Sequence, residues 1–179
     1  YYPYFAGTSV PRDFVEYPSQ VNEMWAIWPS VLKNYAIHYE SGKKMPKDLL
    51  DKVLAAQKFN QGFSTTEYLA SSILDQALHQ LEPNEIPDAE SLIGFEKNTL
   101  INAGITLEAI PPRYRSTYFA HIFSGGYSSG YYSYIHAAVL DSDGFEAFIE
   151  AGDVFDETLS SKLRKQFYEK GSTDEAMDR

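Results

Sequence analysis

Apolar side chains recur with helical period along most of this chain. Residues 47–59 place Leu49, Leu50, Val53, Leu54 and Phe59 in one stripe, the pattern of an amphipathic helix. Residues 19–39 are mostly apolar or aromatic with sparse charge, which predicts a largely buried helix, bent near Pro29 and closed by Ser41-Gly42. Ser64-Thr-Thr-Glu67 has the form of a capping box and predicts a helix from there to about Leu81. After an acidic, proline-bounded loop at 82–88, the pattern resumes from about Asp88 to Ala103 and stops at Gly104. Pro111-Pro112 breaks the chain again, and further helices are predicted at 115–123, 128–140, 143–151 and 157–169. No segment sustains the two-residue alternation of a half-buried strand, so the predicted fold class is all-α. A single domain is expected over residues 1–170, followed by a polar, frayed terminus at 171–179.

Composition narrows the function classes. The chain has 179 residues, 15 Lys+Arg against 25 Asp+Glu, and a net charge of −10. That balance argues against general binding to nucleic acid or to an anionic membrane, both of which need a basic footprint. The absence of cysteine excludes disulfides, thiol catalysis and cysteine-ligated zinc. The first residues, Tyr1-Tyr-Pro-Tyr-Phe, carry neither an initiator Met nor a basic start followed by an apolar core. They read as a cut inside a longer protein or as a processed product.

Charge is unevenly spread. Residues 109–140 hold no Asp or Glu but contain Arg113, Arg115, His121, His136 and six Tyr, whereas 141–179 hold 11 acids against 5 bases. A carboxylate-free, Tyr- and Gly-rich stretch in an acidic protein suits a surface that receives a peptide carboxylate or an oxyanion. A buried aromatic helix pair would also lack charge, because burying charge is costly.

Two constellations could carry chemistry. On a helix, Asp13, Glu16, Gln20 and Glu23 would share one face among apolar neighbours. Such a face meets a cation, a metal or water, and a wet acidic stripe has the same spacing. In the second, His121-Ile-Phe-Ser-Gly-Gly-Tyr127-Ser-Ser-Gly-Tyr131-Tyr-Ser-Tyr134, the three spaced tyrosines would line one helical face. Gly125 and Gly126 would allow a loop to approach a backbone closely. Phenol and imidazole donors suit a developing oxyanion; an aromatic core stripe would show the same spacing. There is no Gly-x-Ser-x-Gly nucleophile elbow and no phosphate loop.

Gly7-Thr-Ser-Val-Pro-Arg-Asp-Phe-Val-Glu16-Tyr-Pro-Ser-Gln20, Phe59-Asn-Gln-Gly-Phe63 and Tyr118-Phe-Ala-His-Ile-Phe-Ser-Gly-Gly-Tyr-Ser-Ser-Gly-Tyr-Tyr-Ser-Tyr134 together resemble the thimet oligopeptidase family of zinc metallopeptidases. Pro112-Arg-Tyr-Arg-Ser-Thr-Tyr-Phe-Ala-His121 is most similar to its bacterial peptidyl-dipeptidase (Dcp) branch. The resemblance implies the C-terminal part of a helical catalytic domain that cuts short peptides. It implies Glu16 as a zinc ligand and Glu23 as a nearby acid supporting the metal site. It implies His121 as a binder of substrate backbone, with Tyr134 or Tyr127 stabilising the oxyanion from a mobile Gly125-Gly126 loop. Tyr131 is a further substrate contact. Arg113 and Arg115, chosen for their charge, are candidates to hold a peptide's terminal carboxylate.

The family's His-Glu-x-x-His zinc motif is absent from the sequence, which predicts an incomplete zinc site and a chain inactive alone. His136 stands where relatives usually carry Trp. The implied partners are short peptides and an N-terminal part of the same protein, with neither nucleic acid nor membrane. The implied location is cytoplasmic, with the periplasm as the alternative. A non-catalytic helical peptide-binding module is the competing class, with the Tyr-rich face as its groove.

Overall fold

The computed structural model describes residues 2–5 and 8–176. Tyr1, Gly7 at the head of the first motif, and the last three residues of the terminal segment at 171–179 lie outside the described residues. The described residues are helical and contain no strand, only two isolated bridges, Ile37 with Lys44 and Leu107 with Ile110. The all-α expectation therefore holds. Among the described residues, eight α-helices follow in chain order: α1 (Tyr17–Ala26), α2 (Pro29–Tyr35), α3 (Lys47–Ala56), α4 (Gln61–His79), α5 (Leu92–Asn102), α6 (Ala120–Phe123), α7 (Ser133–Glu150) and α8 (Glu157–Leu163). The chain divides into two compact units, Tyr1–Ala56 with Ser133–Arg179, and Gln57–Tyr132.

The first unit is built on α1 against α7. Its core gathers Phe14, Tyr17, Val21, Phe145, Val154 and Ala176. The Tyr17, Phe14 and Phe167 rings pack against one another, with Tyr17 at 5.4 Å from Phe14 and 5.1 Å from Phe167 and the two phenylalanines 6.3 Å apart. Trp25 wedges edge-on against Phe145 and Phe148 at 4.9 and 5.0 Å, and its Nε1 donates to the Val154 carbonyl at 2.7 Å. Edge-on packing suits the ring quadrupoles, and the donated bond satisfies the indole N–H. Pro29 does not bend one long helix; it opens a separate α2, pre-set by its fixed φ. The expected burial over 19–39 is not found: Val21 alone is buried there, and no α2 residue is. The chain then makes a small hairpin-like turn in which His38 N donates to Lys43 O and Met45 N to Ala36 O, with Gly42 at φ +63°.

The second unit pairs α4 with α5 over Ala70, Leu74 and Leu100. Burying a side chain the size of Leu74 contributes roughly 1.5–3 kcal/mol. The capping box does not form. α4 begins at Gln61, three residues before Ser64, because Asn60 adopts the left-handed conformation (φ 54°) that Asn tolerates better than most residues. Beyond α5, which ends before Gly104 at φ +71°, the segment through Pro111-Pro112 runs back along α4. There Arg113 N donates to Glu67 O at 2.9 Å and Tyr114 N to Ser71 Oγ at 2.8 Å. The predicted 115–123 helix is a 3₁₀ turn (Ser116–Tyr118) followed by α6.

In the first unit, the predicted pair 128–140 and 143–151 is one helix, α7. The predicted 157–169 helix is α8, widening into a π-helical turn at Arg164–Tyr168.

Candidate functional site

The candidate residues fall into two groups, one in each unit. In the second unit, α6 ends at Phe123 and the chain turns through Ser124–Tyr132. Gly125 and Gly126 are required there. A Cβ on Gly125 would sit 2.7 Å from the His121 carbonyl oxygen, and Gly126 has φ +78°. This tight turn folds Tyr127 back over His121, with ring centroids 4.7 Å apart. Tyr127 N donates to His121 O at 3.3 Å. An imidazole and a phenol are thus brought together at a glycine turn whose Gly125 and Gly126 are exposed.

The helical face expected for Tyr127, Tyr131 and Tyr134 does not form. Residues 127–132 are turns, with Ser129 at φ +54°, and the helix starts only at Ser133. Tyr131 is 4% exposed, packed on Phe119 at 5.0 Å and Tyr68 at 4.9 Å, so its ring belongs to the packing beneath the loop. Burial pushes its phenol up to about 12, with the Arg113 guanidinium opposing that rise. Arg113 is exposed. Arg115 is committed to the buried Glu96, its Nε donating to Glu96 Oε2 at 2.6 Å, while Ser116 N donates to Oε1 at 2.6 Å.

The other group lies in the first unit. Asp13 and Glu16 precede α1 in a turn, where Phe14 N and Val15 N both donate to Pro11 O, so the four-residue helical face is not continuous. Pro18, at the second helical position, fits the start of α1 because its missing N–H has no partner there. Glu16 is half-buried, and its Oε2 accepts from Ser19 Oγ at 2.7 Å. Glu23 is exposed on α1. Gln20, one turn beyond Glu16, points at α7: its Nε2 donates to the Tyr134 carbonyl and to Asp141 Oδ2, each at 3.1 Å. His136 Nδ1 contacts the Asp13 carbonyl at 3.0 Å, so the turn bearing Glu16 is tied to the helix opening that bears Tyr134.

Catalytic zinc takes three protein ligands. Among the described residues no three His, Asp or Glu side chains gather into a group able to hold a metal. Glu16 could supply one carboxylate, so the donors present do not by themselves fit a zinc site.

The profile of peptidase family M3 matches residues 1–179. This chain belongs to peptidase family M3. The match bears out the resemblance to the thimet oligopeptidase family. Among the relatives of this M3 chain are the dipeptidyl carboxypeptidases of Escherichia coli, 43% identical over 174 residues (97% of the chain, 25% of the relative), and of Salmonella typhimurium, 48% identical over 151 residues (84% and 22%). Oligopeptidase A of Escherichia coli is 34% identical over 173 residues (96% and 25%). The higher identities lie on the dipeptidyl carboxypeptidase side, as the 112–121 segment suggested. The M3 chain spans about a quarter of the length of these relatives.

Three acids of the M3 chain that motif reading passed over organise these groups. Asp75, fully buried on α4, accepts from Ser129 N at 2.8 Å and Tyr131 N at 2.9 Å and contacts His79 Nδ1 at 2.8 Å. Glu96 holds Arg115 and Ser116, and Asp141 holds Gln20. Each reads in sequence as an ordinary helix acid. Asp75 alone offers a hint, since it falls on the apolar stripe with Ala70, Ser71 and Leu74. No helix among the described residues is long and apolar enough to cross a membrane.

Proposed function

We propose that this chain is the C-terminal part of the catalytic domain of a zinc metallopeptidase that hydrolyses short peptides and releases C-terminal dipeptides. The observation that carries the reading is the M3 match along the whole chain, with the glycine turn holding Tyr127 against His121. The dipeptidyl carboxypeptidases of Escherichia coli and Salmonella typhimurium, 43% and 48% identical, support the dipeptide-releasing mode.

In this reading the His121 imidazole N–H binds the substrate backbone. The Tyr127 or Tyr134 phenol donates to the oxyanion that develops on the scissile carbonyl. Neutral donors suit that task because they stabilise new negative charge without bringing a competing full charge. Gly125 and Gly126 leave room for the peptide backbone to pass. Arg113, exposed beside the loop's tyrosines, suits the terminal carboxylate. Arg115 does not, since Glu96 already occupies its Nε. Glu16 supplies one zinc ligand and Glu23 supports it; the remaining ligands come from an N-terminal part of the same protein. The proposed location is cytoplasmic, with the periplasm as the alternative.

The experiment uses the intact protein and an N-blocked tripeptide. Tyr127→Phe or Tyr134→Phe is expected to lower kcat by about 10²–10³, the cost of one oxyanion donor, with little change in KM. Glu16→Ala is expected to abolish tight zinc binding, read as metal content after dialysis. Wild-type kcat in both tyrosine variants, or full zinc in Glu16→Ala, overturns the assignment. The 179-residue chain alone is expected to show no chelator-sensitive cleavage.

A further inference from the structure

The glycine-rich turn is held very differently at its two ends. Its first half, Ser124–Tyr127, closes by hydrogen bonds to its own neighbourhood: Ser124 N and Gly125 N donate to Ala120 O, and Tyr127 N to His121 O. Its second half is grasped by α4. Ser129 N donates to Asp75 Oδ1 and Tyr131 N to Asp75 Oδ2. Gln76 Nε2 donates to Ser129 O at 2.8 Å, and the Tyr68 hydroxyl donates to Tyr131 O. Tyr68, Asp75, Gln76 and His79 lie along the same helix, so a rigid element sets the height of the turn.

Asp75 is the unusual member of this set. A carboxylate that is 0% exposed is expensive to bury unless its oxygens are satisfied. Here both oxygens accept backbone amides two residues apart, and His79 Nδ1, hydrogen-bonded to the Asp75 backbone carbonyl at 2.9 Å, also lies 2.8 Å from Oδ1. Ser129 sits at φ +54°, a conformation a non-glycine residue holds at a cost, and its amide and that of Tyr131 meet this one carboxylate. The carboxylate and the strained turn therefore account for each other. Neither is needed to bury the apolar core of α4 and α5, which closes over Ala70, Leu74 and Leu100.

We infer that Asp75 is a positioning residue, which clamps the 129–131 end of the glycine-rich turn to α4 so that Tyr127 is presented at a fixed height while Gly125-Gly126 remains the deformable end. It acts through Tyr127 and His121 and touches no substrate. This inference rests on the reading of that turn under Proposed function. His79 supports the clamp from its partly exposed position, and His79→Gln weakens it less than loss of the carboxylate does.

The test compares Asp75→Asn, His79→Gln and Tyr127→Phe in the intact protein, by amide hydrogen exchange and by steady-state cleavage of an N-blocked tripeptide. Asp75→Asn keeps the shape but sets an NH₂ against one of two backbone donors. Exchange in a peptide covering 123–132 is expected to rise roughly tenfold or more, the scale of one lost hydrogen bond to a charged group, with the 92–102 peptide unchanged. kcat is expected to fall by about 10- to 100-fold at unchanged KM, as for a donor displaced by a fraction of an ångström to an ångström. His79→Gln is expected to show a smaller change of both readouts in the same peptide. If Asp75→Asn misfolds, His79→Gln carries the test alone.

Exchange at 123–132 that stays at the wild-type level in every variant that folds overturns the clamp. If Tyr127→Phe loses activity and Asp75→Asn does not, the positioning role is overturned while the proposed function stands. If Tyr127→Phe is fully active, Tyr127 is not the oxyanion donor and the positioning role is overturned, while the proposed function stands on Tyr134.

Discussion

Gln20 shows how single polar side chains set the geometry near the candidate groups. Its amide reaches from α1 to α7 and binds both the Tyr134 carbonyl and Asp141, at the cost of a buried Oε1 with no partner among the described residues. Asp141 pays for that contact in hydration. It is 4% exposed, and burial raises its carboxyl above the usual range, with bonds from Ser142 Oγ and Gln20 Nε2 partly offsetting the rise. A raised folded-state value means that the native protein holds the proton more tightly than the unfolded chain does. The stability so gained is complete below the ordinary value of 3.8 and is lost as the pH rises through the raised value. Asp141→Asn removes that titration. The melting temperature of the variant relative to wild type is therefore expected to shift in the variant's favour between about pH 4 and pH 7. An equal difference at the two pH values would mean that Asp141 does not titrate in this window.

At the level of elements, α1 and α7 approach each other through Gly144. A Cβ there would stand 2.6 Å from the Tyr17 hydroxyl oxygen. Gly to Ala inside a helix normally gains about 0.8–1 kcal/mol. Tyr17 cannot swing aside, because its ring is 2% exposed and packed against both Phe14 and Phe167. Overpacking costs of about 1–3 kcal/mol should then win. Gly144→Ala is expected to lower stability by about 1 kcal/mol, and adding Tyr17→Phe should recover part of the loss; the measurement is denaturant unfolding of both variants and the double. A stabilised Gly144→Ala would show that the helices can move apart.

Residue spacing made part of this fold legible and left part of it hidden. Helical period located α1, α3, α4, α5 and α7 because their cores are built from Val21, Leu50, Leu74, Leu100 and Phe145 at that spacing. It split α7 in two at Asp141-Ser142, a polar pair that the helix carries without a break. It put the cap at Ser64, since Asn60's left-handed backbone has no sequence pattern as clear as a capping box. It drew Tyr127, Tyr131 and Tyr134 on one face, since nothing local announces a positive φ at Ser129. That His121 and Tyr127 belong to one glycine-bearing constellation is legible in the sequence; their ring contact is not. The roles of Asp75, Glu96 and Asp141 depend on partners 19 to 121 residues away, and residue spacing carries no such information.

On the scale of the molecule, two opposing surface terms decide how the chain behaves in solution. Each unit exposes large apolar side chains. In the first these include Tyr39 at 89% and Val139 at 68%, with a cleft of about 450 Å³ bordered by Tyr35, Ile37, Met45 and Leu49. In the second they include Phe59 at 76% and Ile86 at 65%. Contiguous apolar surface drives association, and relatives of about four times this length have more chain with which to cover it. The net charge of −10 opposes contact between copies, but only within a screening length of about 10 Å at 0.1 M salt and about 3 Å at 1 M. Short-range burial should therefore prevail once the charge is screened. The purified chain is expected to show a mass above 20.3 kDa in light scattering, rising as salt is raised from about 0.1 to 1 M. The opposite trend, dissociation with salt, would assign the association to ion pairs such as those of Lys43 and Lys44 beside the cleft. A constant 20.3 kDa across the series would mean that the exposed apolar groups are too scattered to act as a surface.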